Sequence, residues 1–359
     1  MATHMTALPG IDYPIIQAPM AGVSTPELAA VVSDAGALGS ISVGAATPGK
    51  AREMIADTRA LTIKPFNVNV FCHQPATLDA GRETRWLTHL KPFFEAFGAT
   101  PPTGLREIYQ SFVTDPEMLQ VLLDEKPAFV SFHFGLPPAS HIQALHDAGI
   151  HLLACATTVE EGRRIEQAGV DAIVAQGLEA GGHRGMFRPA LGDPGLHMED
   201  LVRSLSESTR IPVIAAGGIM DGHGIVRAIR AGACAAQLGT AFVLCPESSA
   251  NGGYRQALMD ARPGGTQITA AISGRPARGL INRMHHEVGV STAPDLPDYP
   301  VAYDAAKALH RAASKNGSEE FAAHWAGTGV GQARALGTAE LVRDLVRELQ
   351  ENLNADHEI

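Results

Sequence analysis

The sequence holds 359 residues, 45% of them apolar and 18% charged, with a net charge of −10. That length exceeds one small core, the apolar content excludes a disordered polymer, and the negative balance argues against nucleic acid or an anionic membrane surface as a partner. No apolar run is long enough to span a bilayer and no basic stretch followed by an apolar one opens the chain, so neither a membrane span nor a secretory signal is expected.

From Ile15 a short strand stops at Pro19, and Thr25 then caps a helix that runs through Ala35 with Pro26 in its first turn. A strand from Leu38 to Val43 leads through Gly44 into a helix from Pro48 to about Arg59. The strand Phe66 to Phe71 alternates so that Asn67 and Asn69 share a face with Phe71. Asparagines inside an apolar strand are costly to bury without partners. For Asn69, nearer the strand's carboxyl end, a bound ligand is the expected partner; for Asn67 a backbone group at the sheet end is an equal alternative.

The alternation breaks from His73 to Gly104, which holds Pro75, Pro92, Pro101 and Pro102 and one helical segment from Trp86 to Phe97. It resumes with a helix from Asp115 to Glu125, a strand from Ala128 to Phe132 ending at His133, and a helix from Ala139 to Ala148. Strand His151 to Ala154, helix Val159 to Ala168 and strand Ala172 to Ala175 follow. Then come helix Glu199 to Leu205, strand Val213 to Ala216, helix Gly222 to Ala231 and strand Ala235 to Leu238. Eight strands, each followed by a helix or helical segment, predict an α/β protein of the (β/α)8 TIM-barrel class. Residues 1–72 and 105–248 are expected to form the barrel, 73–104 and 249–337 a smaller, mainly helical substrate-capping region, and 338–359 a C-terminal helix. That helix carries Leu341, Val342, Leu345, Val346 and Leu349 as one apolar stripe.

The stretch Ala172 to Gly185 is the centre of the functional reading. A buried strand ends at Gln176-Gly177, and glycines at 181, 182 and 185 then enclose one titratable side chain, His183. An imidazole at the carboxyl end of a barrel strand is placed for chemistry, although a flexible surface loop would have the same composition. Gly217-Gly218 and Gly239-Thr240, after the last two strands, offer bare backbone N–H groups and a hydroxyl to a phosphate. No Gly-x-Gly-x-x-Gly opens a helix after the first strand and no P-loop occurs. A flat conjugated ring lying across the mouth would meet Pro19 and Met20 as an apolar floor, with Asn69, Gln176 and Gly181 along its polar edge.

Cys72, Cys155, Cys234 and Cys245 form no CxxC pair and no metal spacing, so buried reduced thiols in a cytoplasmic enzyme without a metal are expected. Met1 to Met5 leave room for a cloning remnant. Tyr299, Tyr303 and Lys307 are four apart; if Pro300 opens a helix with Tyr299 at its N-cap, they share one face suited to a small dianion. A Tyr/Lys stripe on the surface of an amphipathic helix is the alternative. The loop Trp325 to Gln332 has three glycines, and whether it reaches the ring site is left open.

Five motifs in order carry a resemblance: Gln17 to Gly22 (QAPMAG), Asn67 to His73 (NVNVFCH), Gln176 to Gly185 (QGLEAGGHRG), Ala215 to Gly222 (AAGGIMDG) and Gln237 to Thr240 (QLGT). Together they resemble nitronate monooxygenase, formerly called 2-nitropropane dioxygenase, and the Gly-Gly-His-Arg-Gly form resembles its first class. The resemblance implies one noncovalent FMN, with contacts on Met20, Asn69, Gln176, Gly181, Gly218, Gln237, Leu238, Gly239 and Thr240. It also implies oxidation of alkyl nitronates, propionate 3-nitronate preferred, by O2 to the carbonyl compound with nitrite and nitrate. The implied route is a one-electron transfer through an anionic flavin semiquinone, with no NAD(P)H consumed. His183 is implied as the catalytic residue, and Tyr109, His133 and Tyr254 join Tyr299, Tyr303 and Lys307 around the substrate.

A nitronate is already a carbanion equivalent, so His183 is expected to orient and stabilise the bound anion; in fungal relatives the equivalent histidine removes a proton from neutral nitroalkanes. Two other readings remain. One is an NAD(P)H-dependent flavin reductase acting on a quinone or enoyl thioester, against which Arg184 weighs because those relatives carry an aliphatic residue after Gly-Gly-His. The other is a flavin-free lyase or isomerase acting on a sugar phosphate. A monomer or homodimer is expected.

Overall fold

The computed structural model describes residues 8–355, so Met1 to Met5 and the last four positions of the expected C-terminal helix lie outside the described residues. Strands are numbered in chain order: β1 Ile15–Gln17, β2 Gly39–Ser42, β3 Phe66–Phe71, β4 Phe129–His133, β5 His151–Ala156, β6 Ala172–Gln176, β7 Gly182–His183, β8 Val213–Ala216, β9 Ala235–Leu238, β10 Thr266–Thr269 and β11 Ala277–Leu280. Eight of them pair in parallel in the order β1-β9-β8-β6-β5-β4-β3-β2. A parallel bridge between Ile16 and Leu38 joins the two edges, which closes the sheet into the expected (β/α)8 barrel.

Strand alternation divides the side chains into two sets. Ile16, Leu38, Phe129, Leu153, Val174, Ile214 and Ala235 meet in one cluster inside the barrel. Their neighbours Ile15, Ile41, Val68, Val130, Leu152, Ile173, Ala236 and Leu238 pack outward against the helices. The inward face of β3 carries Asn67, whose Nδ2 donates to Ser40 Oγ at 3.2 Å and Ser131 Oγ at 3.0 Å. Serines on the flanking strands therefore supply the partners of its amide N–H groups, rather than a ligand or a sheet-end backbone group, and its Oδ1 has no hydrogen bond among the described residues.

Helix starts follow local chemistry: Thr25 accepts from Leu28 N with Pro26 at the first turn, and Thr47, Asp115, Thr158 and Asp221 cap their helices in the same way. The regular β-then-α count is interrupted after β9, where only the short helix Thr240–Val243 follows. The outer ring is completed instead by the helix Thr338–Ala355, which packs against Gly222–Arg230 and Pro26–Asp34 and contributes Leu341, Val342, Leu345 and Leu349 to the barrel cluster.

A second apolar cluster, referred to below as the cap, lies over the carboxyl ends of the strands. It joins Trp86, Leu90 and Phe94 of the helix Ala80–Glu95 to Met284 and to Val301, Ala305 and Leu309 of the helix Val301–Ser314. It is not helical throughout: β10 and β11 form a hairpin, and β11 pairs antiparallel with β7, so Gly182 and His183 form the third strand of a sheet shared with the cap.

Candidate active site

A cavity of about 540 Å³ opens at the carboxyl ends of the barrel strands, within the range of small-ligand pockets. Met20, Asn69, Gln176, Gly181, Gly218, Gln237, Gly239 and Thr240 line it from the barrel, and Tyr109, His133, His183, Tyr254, Tyr299, Tyr303 and Lys307 complete the wall. Leu238 does not line it: alternation along β9 turns Gln237 inward and Leu238 outward into the core between strands and helices, and the Leu238 carbonyl accepts from Ala18 N at 2.8 Å.

His183 is held from several sides. Its carbonyl accepts from Gln176 Nε2 at 2.9 Å and from His133 Nε2 at 3.2 Å; because a carbonyl only accepts, His133 carries its proton on Nε2. The His183 Nε2 lies 2.8 Å from Ser273 Oγ, in the turn between β10 and β11. That leaves Nδ1 as the ring nitrogen without a partner among the described residues. Tyr299, Trp325 and Phe134 pack around the ring with centroids 5.4, 5.1 and 5.6 Å away. Burial, helped by the neighbouring His133, Arg275 and His73, pushes the imidazole down to about 3, so it is neutral at physiological pH.

Arg184 explains the form of the Gly-Gly-His-Arg-Gly loop. Fully buried, it donates from Nε to Asp193 Oδ2 at 2.6 Å and from Nη1 to the Gly177 carbonyl at 2.7 Å and Gln176 Oε1 at 3.1 Å. Gln176 Oε1 also accepts from Gly185 N at 2.8 Å, so this side chain ties the loop back onto β6. The Asn69 amide is similarly engaged, donating to Ser131 O and Oγ and accepting from Ser42 Oγ. These two amides thus retain little capacity for a ring edge, whereas Gln237 makes no side-chain hydrogen bond among the described residues and is free to meet a ligand.

The loop Trp325 to Gln332 reaches the cavity, with Trp325, Gly327 and Gly329 on its lining and Gly327 N donating to Thr240 Oγ1 at 3.0 Å. Close approach requires the glycines here, since a Cβ on Gly181 would lie 2.6 Å from Gly327 N. Gly218 has φ 70°, in the left-handed region. The mouth thus presents bare backbone at the ends of β8 and β9, the Met20 thioether beside it, and one unengaged amide. That set fits a flat, phosphate-bearing ring system.

The cap side differs from the sequence expectation at Pro300. Its backbone (φ −100°, ψ 21°) is not helical, so Pro300 is itself the N-cap of Val301–Ser314 and Tyr299 lies outside, joined to it by a cis peptide bond. Tyr303 and Lys307 do share a helix face, and Tyr299 still reaches the cavity. Lys307 Nζ sits 5.0 Å over the Tyr109 ring and 4.9 Å over the Tyr303 ring, with no ion pair among the described residues. Burial and nearby Arg311 lower its pKa. Burial raises all four phenols, Tyr303 to about 12, so they remain donors. The Tyr254 hydroxyl donates to the Trp325 carbonyl and is already engaged.

Ser273, Arg275 and Phe134 are not marked by the sequence, and Trp325 is marked only as the start of the glycine loop. Phe134 stands out only by its backbone, with φ 73°, and Ser273 and Arg275 come from a segment with no local motif. Among the described residues no cluster of His, Cys, Asp or Glu could hold a metal, and no helix is long and apolar enough to cross a membrane.

The family model for nitronate monooxygenase matches residues 2–348. A nitronate monooxygenase of Pseudomonas aeruginosa is 55% identical over 98% of this chain and all of its own length. Another from Paraburkholderia phytofirmans is 57% identical over 96% of this chain and 94% of its own. The solved structure of a nitroalkane oxidase from Streptomyces ansochromogenes superposes with a TM-score of 0.86 at 40% identity, covering 98% of both chains. With the barrel, the glycine turns and the buried His183 loop described above, these likenesses establish that the chain belongs to the nitronate monooxygenase family of flavin-dependent oxidoreductases.

Proposed function

We propose that the protein binds one FMN noncovalently and oxidises alkyl nitronates with O2, propionate 3-nitronate best, releasing the carbonyl compound with nitrite and nitrate and using no NAD(P)H. One observation carries this reading: a neutral imidazole with a free nitrogen, the bare turns of β8 and β9, and an unpaired ammonium share a single cavity. Gly218, Gly239 and Thr240 would hold the phosphate, Met20 the apolar face of the ring and Gln237 its polar edge, with the engaged Asn69 and Gln176 and the bare Gly181 forming the wall beside it. Bound there, the flavin supplies a one-electron acceptor.

The residues of the chain have then to bind and orient an anion rather than create one. His183 meets the nitronate through Nδ1. It donates there when the Ser273 hydroxyl donates to Nε2; were that hydroxyl turned to the Arg275 carbonyl, 3.2 Å away, Nδ1 would instead be a lone-pair base. The donor arrangement suits a substrate that arrives already ionised. Lys307, with the phenols of Tyr109, Tyr299 and Tyr303, would take the carboxylate at the far end of propionate 3-nitronate, while His133 and Tyr254 fix the walls through their bonds to the backbone of residues 183 and 325.

The test is oxygen uptake and nitrite release on propionate 3-nitronate without reduced nicotinamide, followed by anaerobic mixing with NADH and NADPH. Turnover of the nitronate with no bleaching by either nicotinamide is expected. A protein inert to the nitronate and bleached by NADH would replace this reading with that of a flavin reductase.

A further inference from the structure

Arg275 lies in the β10–β11 turn, two residues beyond the partner of His183, and is only 6% exposed. Its side chain has one acceptor, the carbonyl of Met186, and its Nε has none. No carboxylate lies within ion-pair distance among the described residues. Glu161 attracts it electrostatically, but both Glu161 oxygens are taken, one by Thr157 and the other by Phe187 N.

What the guanidinium does have is aromatic rings. Its Cζ is 4.4 Å from the centre of Phe134 and 5.9 Å from that of Tyr299. Phe134 is held at φ 73°, a conformation bulky side chains rarely adopt, and its ring packs against His133, His183 and Tyr299 at 4.4, 5.6 and 5.2 Å. A buried cation without a direct ion pair is costly, and π faces and the more distant Glu161 offset only part of that cost. His183 and Tyr299 line the cavity and Arg275 does not, so an anion entering there would add a second negative charge near the guanidinium from across that ring layer.

We propose that Arg275 is a positioning residue for the anionic substrate: its charge acts through the Phe134–Tyr299–His183 layer on the nitronate end, while its backbone holds Ser273 against His183. The Arg275 N–H donates to Ser273 Oγ at 3.3 Å, which supports the second part. The charge is also one cause, after burial, of the lowered basicity of His183, His133 and His73. The inference rests on reading the cavity as an anion site. It differs from the role of Lys307, which lines the cavity and meets the far end of the substrate.

The experiment uses calorimetric titration of the flavin-loaded wild type, Arg275→Lys and Arg275→Met with nitrite as a small anion and nitroethane as a neutral probe, with near-ultraviolet circular dichroism to verify folding. A unit charge acting across one ring layer at an effective dielectric of about 20 predicts that Arg275→Met weakens nitrite about tenfold and nitroethane less than about twofold. Arg275→Lys should recover nitrite binding to within about threefold. Equal loss of both probes in Arg275→Met, unchanged nitrite binding, or no nitrite binding by the wild type would each overturn the proposal. If Arg275→Met does not fold, Arg275→Gln is judged by the same criteria. A wild type that binds nitrite but turns over no nitronate would sink the proposed activity, while the variants would still decide this point.

Discussion

The two sides of the cavity treat their polar atoms in opposite ways. On the barrel side Asn69, Gln176 and Thr240 are engaged with other protein groups, and Gln237 is the exception. On the cap side and its shared sheet, Lys307 and Arg275 have no ion pair and His183 Nδ1 has no partner among the described residues. A wall whose hydrogen bonds are already made is rigid and suits a resident group. Unpartnered groups leave interaction free energy available for something that comes and goes.

The sharpest way to break the barrel side is Arg184→Met. Removing the fully buried guanidinium leaves the partly exposed Asp193 unpaired and frees Gln176, which should destabilise by about 3 kcal/mol and lower Tm by roughly 5–10 °C in a thermal melt. On the cap side, Lys307→Met should lower kcat/KM for propionate 3-nitronate about 100-fold, on the scale of a desolvated charge pair, while ethyl nitronate changes less than about threefold. An equal loss on both substrates in oxygen-uptake assays would remove Lys307 from the carboxylate.

The histidines between the two sides give a pH prediction. His73, His133 and His183 fall to about 4, about 4 and about 3, chiefly through burial. A histidine lowered in the folded state is protonated first in the unfolded chain. Its stabilising contribution is therefore complete above about pH 6.5 and is lost as pH falls toward 4, by up to about 1.4 kcal/mol per pH unit for each group. Denaturant melts between pH 7 and pH 4.5 should show this slope, and His73→Phe, at a ring with no side-chain hydrogen bond among the described residues and Glu107 Oε1 3.9 Å from Nε2, should reduce it by one group's share. The smallest effect is expected from Ser273→Ala, which removes one hydrogen bond to His183. A loss in kcat of about fivefold, roughly 1 kcal/mol, would fit; no change would mean that the ring is held by its aromatic neighbours alone.

The barrel was legible because its signals are local. Apolar runs ending at glycine, Thr and Asp caps, and the Asn67/Asn69 alternation identify strands and helices within a few residues of their true ends. Leu238 shows the limit of reading a motif as a block: membership of Gln-Leu-Gly-Thr does not override the alternation that turns it outward. Pro92 sits within the helix Ala80–Glu95, whose first turns precede the segment expected from Trp86. What could not be read was the pairing of β7 with β11, and with it Ser273 and Arg275. That contact joins residues 182–183 to 277–278, and no periodicity within either segment encodes its partner.

The long excursion between Thr240–Val243 and Thr338–Ala355 has a thermodynamic consequence. Loop-closure entropy grows only logarithmically with length, each doubling costing about 0.6 kcal/mol. Stretching a connection of about five residues to the span between these two helices is about four doublings, or about 2.5 kcal/mol, no more than fully burying one large apolar side chain returns. The inserted segment can accordingly be exchanged at small entropic cost while the eight-stranded scaffold is left untouched.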